Sequence, residues 1–135
     1  MLSQTHRPPP VKTKGPLMSD SILALTQRLT QFRDDRDWRK FHNLKDLIQC
    51  VGIEAGELME LTQWKTTEQA EDAAADPYFR ERLGEELSDV FLYLLLIAER
   101  AGLDIVEEAH RKIDKNGNNY PVEKARGTSK KYTEL

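Results

Sequence analysis

A single cysteine, Cys50, occurs in 135 residues, so no disulfide can staple the chain internally, and its apolar, helix-like surroundings suit a small buried residue better than a reactive thiol. The histidines number three, His6, His42 and His110, and with neither H-x-x-x-H nor C-x-x-C present the usual zinc patterns are excluded. No apolar run reaches the ~20 residues that a membrane span requires. Pro8, Pro9 and Pro10 stand where a secretory signal would need its apolar stretch. A basic excess is missing too: 20 Lys and Arg face 23 Asp and Glu, for a formal net charge of −3, which leaves no electrostatic footprint for nucleic acid. The expectation is a soluble, cytoplasmic protein that engages neither nucleic acid nor a membrane, with length for one domain around one core.

What the chain does have is helical periodicity. Residues 1–18 are rich in Pro, Lys, Thr and Gly without a repeat and read as a disordered arm or an added leader, with Met18 a candidate start. Ser19, Asp20 and Ser21 suit the cap of a first helix whose apolar residues Ile22, Leu25, Leu29 and Phe32 step by three and four, ending near Asp35. Asn43 caps a second, in which Leu44, Leu47, Ile48, Val51, Ala55, Leu58 and Met59 form a stripe that runs on toward Trp64. Residues 66–77 are small and acidic, and suit a surface loop or a short connecting helix. Asp76 and Pro77 then supply a cap and a first-turn proline for a third helix. Every residue from 90 to 98 in it is apolar or aromatic, so this segment needs cover from helices of its own chain or of a second copy. Gly102 ends it, and Asp104 caps a fourth helix carrying Ile105, Val106, Ala109 and Ile113, which Asn116 and Gly117 are expected to break. Without strand-like alternation, the fold class is all-α, a four-helix-bundle-like domain over residues 19–121 followed by a polar tail, 122–135.

Two acid pairs share one spacing, Glu54-x-x-Glu57 on the second helix and Glu86-x-x-Asp89 on the third. Positions i and i+3 are neighbours on a helix surface, with Cβ atoms about 5–6 Å apart, so antiparallel helices could close a cage of four carboxylates. Either pair alone reads as a solvated acidic face. All four acids, however, border the apolar stripes, and like charges crowded beside apolar surface are costly unless a cation neutralises them. From spacing alone a metal site and a solvated face both stand open. Carboxylates without His or Cys select a hard cation, Mg²⁺ foremost with Mn²⁺ close behind.

The segments WRKFHNLKDLIQCVGIEAGELMELTQWK (38–65), GEELSDVFLYLLLIAERAGLD and KIDKNGNNYPVEKARG resemble the MazG-like nucleotide pyrophosphohydrolases, and among them the dCTP pyrophosphatase branch, over residues 21–135. The family hallmark is an E-x-x-E pair followed by an E-x-x-D pair, here separated by 28 residues. The resemblance implies Mg²⁺ on Glu54, Glu57, Glu86 and Asp89, cleavage of a nucleoside triphosphate between the α and β phosphates, and a homodimer or homotetramer. A triphosphate carries roughly four negative charges, so divalent cations must precede it into such a site. Glu57 is the expected group to orient or deprotonate the attacking water. Lys112 and Asn116 match the family's K-x-x-x-N, implying phosphate or sugar contacts, with Lys115 and Arg126 as further positive charge. Trp38, Trp64 and Tyr93 fall where that branch places base-contacting aromatics; without the resemblance, each reads as core. Departures occur as well. Leu44 and Asp46 replace the Pro and Asn of F-H-x-P-x-N-L, Leu29 stands in the register of a helix-one His, and Asn119 replaces a basic residue before Tyr-Pro. These leave the acid pairs intact and bear on base preference: dCTP or a modified dCTP is expected, with dUTP or a damaged purine triphosphate as the alternative. A reading from another class is a non-catalytic helical interaction protein that uses residues 90–98 as an interface.

Overall fold

The computed structural model describes residues 18–135, with side chains from residue 22 onward; the expected arm therefore lies outside the described residues except for Met18. Helix α1 spans Met18–Asp34, so Ser19, Asp20 and Ser21 sit inside its first turn instead of ahead of it. The connection to α2 (Leu44–Glu60) ends at Asn43, whose side chain accepts the Asp46 N–H at 2.9 Å and satisfies one of the amides that a helix start leaves free. Here α2 stops at Glu60, short of Trp64, because the chain tightens into i+3 turns from Met59 onward and Trp64 takes a left-handed φ of +67°.

Residues 66–77 resolve into the short helix α3 (Thr67–Ala73). A reciprocal capping box between Thr66 and Gln69 starts it. Helix α4 (Pro77–Ala101) opens on Asp76 and Pro77 and closes on Gly102, where φ is +67° and glycine avoids the Cβ clash of that conformation. Asp104 caps α5 (Ile105–Asn119) through the Val106 and Glu107 amides. This helix passes through Asn116 and Gly117 instead of breaking there, since a helical glycine costs only about 1 kcal/mol and the Tyr120 N–H still bonds the Asn116 carbonyl. The polar tail holds one further turn, α6 (Val122–Ala125), and a 3₁₀ turn at Tyr132–Glu134 whose Tyr132 ring meets Tyr120 edge-on. Among the described residues there is no strand, and no helix is long and apolar enough to cross a membrane.

The packing centres on α4, which lies against α2 and, less extensively, against α1. Leu47 of α2 and Leu95, Leu96 and Ala98 of α4 form the buried apolar core; each leucine contributes about 1.5–3 kcal/mol by burial. The rest of the apolar surface is partly open: Phe91 and Leu94 remain 39% exposed, and Ile113 of α5 is 65% exposed. What this arrangement fixes is register. Below that core, half-buried or buried positions of α4 run through Phe79, Leu83, Glu86, Val90 and Tyr93, and those of α2 through Leu47, Val51, Glu54 and Leu58. One glutamate of each acid pair thus falls where a hydrophobic side chain would otherwise stand.

Candidate functional site

That register brings the two helices' acids together. Glu54, Glu57 and Glu86 each place a carboxylate oxygen within 4.8 Å of the other two. Burial is graded across the group: Glu86 is 7% exposed, Glu54 is half-buried and Glu57 is exposed at the mouth. The Glu54 carboxyl is pushed above its usual range, first by burial and then by the charges of Glu57, Asp89 and Glu86. Glu86 Oε1 accepts a hydrogen bond from Arg82 Nη2 at 3.4 Å, whereas its Oε2 is buried without any partner. A buried, unsatisfied carboxylate oxygen is rare because its desolvation goes uncompensated. Converging carboxylates that repel one another, one of them carrying an orphaned oxygen, fit a divalent cation with oxygen preference. Asp89 is not in the three-oxygen group, although it lines the same cleft, a cavity of about 660 Å³ that also touches Glu57, Glu81 and Glu85.

Asp89 also lines a second cavity, about 150 Å³, between α1, α4 and the connection 35–43. Leu29, Phe32, Leu92 and Leu96 supply its apolar sides, while Arg33, Trp38, His42 and Tyr93 complete it. Trp38 is held edge-on to Phe32 at 5.8 Å and tilted against His42 at 6.5 Å. The connection reaches this position through Asp37, whose φ of +53° is left-handed, and through the Trp38 N–H donating to the Arg33 carbonyl. Arg33 is itself buried. Its guanidinium donates to both carboxylate oxygens of Asp34 and to Glu99 Oε2, tying the end of α1 to α4. Burial, and after it the Cys50 thiol, pushes the Tyr93 hydroxyl up to about 12, so it stays a neutral donor. Burial and then the Arg33 charge hold His42 below its usual value, and His42 Nδ1 has no partner.

The other residues singled out in the sequence lie elsewhere. Trp64 is 92% exposed beyond α2 and lines neither cavity. Lys112 and Asn116 project from α5 and are exposed, and neither borders the acidic cleft or the aromatic cavity. Conversely, Arg33, His42 and Arg82 gained no site role from the sequence. For Arg82 a signal existed, its i, i+4 spacing to Glu86; the other two depend on a connection whose path no periodicity describes.

Fold and site together define a helical protein with a candidate cation-binding acid cluster beside a small aromatic cavity. Residues 50–135 match the MazG-like family, and the chain belongs to that family. It is 41% identical over 118 residues to dCTP pyrophosphatase 1 of Bos taurus, covering 87% of this chain and 70% of the relative. With dCTP pyrophosphatase 1 of Homo sapiens it shares 42% identity over 105 residues, 78% of this chain and 62% of that protein. The chain thus spans less than two thirds of the human relative's length. Among solved structures, a pyrophosphatase from Archaeoglobus fulgidus superposes with a TM-score of 0.70 at 28% identity, over 90% of this chain and 99% of its own.

Proposed function

We propose that this chain hydrolyses a nucleoside triphosphate to the monophosphate and pyrophosphate, with dCTP or a modified dCTP as substrate, in a nucleotide-pool house-cleaning role in the cytoplasm. The observation that carries the reading is the meeting of the Glu54, Glu57 and Glu86 carboxylates, Glu86 with one oxygen orphaned, one side chain away from a cavity of about 150 Å³. A space of that size holds one six-membered ring, which favours a pyrimidine over a purine. Glu54, Glu57, Glu86 and Asp89 would hold Mg²⁺, or Mn²⁺ in its place. When bound, the cation supplies neutralisation of phosphate charge and a lower pKa for a coordinated water.

The remaining steps belong to the chain's own groups. Water oxygen bonds to the α-phosphorus as the α–β bridging bond breaks, and the bridging oxygen leaves with pyrophosphate. Glu57, the most accessible of the three clustered acids, takes the water's proton. Trp38 offers a stacking face for the base, and Tyr93 donates a hydrogen bond as a neutral phenol. Trp64 is a further proposed base contact, and Lys112 and Asn116, one turn apart on α5, are the proposed phosphate contacts. Open apolar surface on α5 and the groove bordered by Ile22, Leu23, Leu103 and Val106 support a homodimer or homotetramer.

Pyrophosphate release across the common and 5-modified nucleoside triphosphates, with Mg²⁺ and with EDTA, tests this. Metal-dependent release led by deoxycytidine nucleotides is the expected result. A lead by dUTP, whose ring is as small, would keep the chemistry and replace the base; no release from any nucleotide would leave a helical interaction protein.

A further inference from the structure

The acid centre includes an asymmetry that the proposed metal reading leaves unused. The two oxygens of Glu86 are treated differently: Oε1 has Arg82 at 3.4 Å, and Oε2 has no partner in a side chain that is nine-tenths buried. Among the described residues, Arg82 is the one cation in ion-pair contact with any of the four acids. Tyr78, Arg82 and Glu86 follow one another at four-residue steps along a single face of α4, so each can reach the next.

We propose that Arg82 is a positioning residue for the cation: it anchors Glu86 by Oε1, so that Oε2 is the oxygen presented to Glu54 and Glu57. This rests on the reading of the acid cluster as a metal site. Two effects compete when Arg82 is removed. Its positive charge repels an incoming cation, which would make removal favourable; its hydrogen bond fixes the ligand carboxylate, which would make removal harmful. The Arg82 side chain is 44% exposed, so water and salt screen its long-range repulsion. The anchoring bond acts on a carboxylate that has no other partner. Anchoring therefore outweighs repulsion, and outer partners that orient metal-binding side chains commonly change affinity by about 10–100-fold.

Mn²⁺ binding to the full chain without nucleotide, measured by titration calorimetry and by the loss of the free-ion electron paramagnetic resonance signal, provides the test. Arg82→Ala is expected to weaken binding about tenfold and Arg82→Lys to recover part of that loss, with the helical circular dichroism unchanged. Should the alanine variant lose helicity, Arg82→Met keeps the apolar stem and is expected to show the same weakening. Wild-type binding matched or exceeded by the variants overturns the role of Arg82 alone. Failure of the wild-type chain to bind Mn²⁺ overturns the metal reading and this inference with it.

Discussion

The acidic cleft and the aromatic cavity lie side by side on α4 and are built in opposite ways. The cleft takes its carboxylates from two uninterrupted helices, at positions fixed by helical repeat and by the α2–α4 packing register. The cavity draws on α1, α4 and a connection that reaches Trp38 only by turning Asp37 into the left-handed region. Helix interiors hold charge in place by rigidity, at the cost of repulsion stored in Glu54, Glu57 and Glu86. A loop-built cavity is shaped by contacts that one substitution can shift.

The sharpest break in this comparison comes from the cleft. Glu57→Gln is expected to abolish turnover with helicity intact, and to leave the metal-free protein as stable or more so, because one repelling charge is gone; near-normal turnover would detach the cleft from the chemistry. On the cavity side, Trp38→Ala is expected to raise KM about tenfold, in line with roughly 1–3 kcal/mol for base stacking, with less change in kcat. An unchanged KM would remove Trp38 from base recognition. Smaller still is a stability effect at Trp64: left-handed backbone costs a non-glycine residue roughly 1–2 kcal/mol, part of which glycine returns as entropy. Trp64→Gly is expected to stabilise by about 0.5–1 kcal/mol in urea unfolding, and a loss of stability would mean that the exposed indole packs on something. The mildest effect is in pH. His42 is held below its ordinary 6.5, so its contribution to stability is present above that value and is lost as pH falls through the folded-state pKa. His42→Gln should flatten the acid side of the stability profile measured by thermal melts; an unaltered slope would exclude His42 as its source.

The same contrast explains what was legible in the sequence. Caps located the starts of α2, α4 and α5 and the end of α4, because Asn43, Asp76, Gly102 and Asp104 each act on the backbone beside them. The all-α class followed from them. The start of α1 and the length of α5 were misread where a local signal, a run of Ser and Asp or an Asn-Gly pair, yielded to helix continuity. The acid pairs were visible because i, i+3 spacing is itself geometry. The convergence of Trp38, His42 and Arg33 was not, since it depends on the turn at residues 33–38 and on the Arg33–Glu99 link across 66 positions.

Asp89 borders both cavities, so the partition between them is one side chain thick. Two compartments that share a wall cannot be remodelled separately. A change that widens the ring-sized space also moves a carboxylate facing the acids, and a change that retunes the acids reshapes that space. Under the proposed function, selection on which nucleotide is admitted would therefore act on how fast it is processed, with position 89 the point at which the two trade.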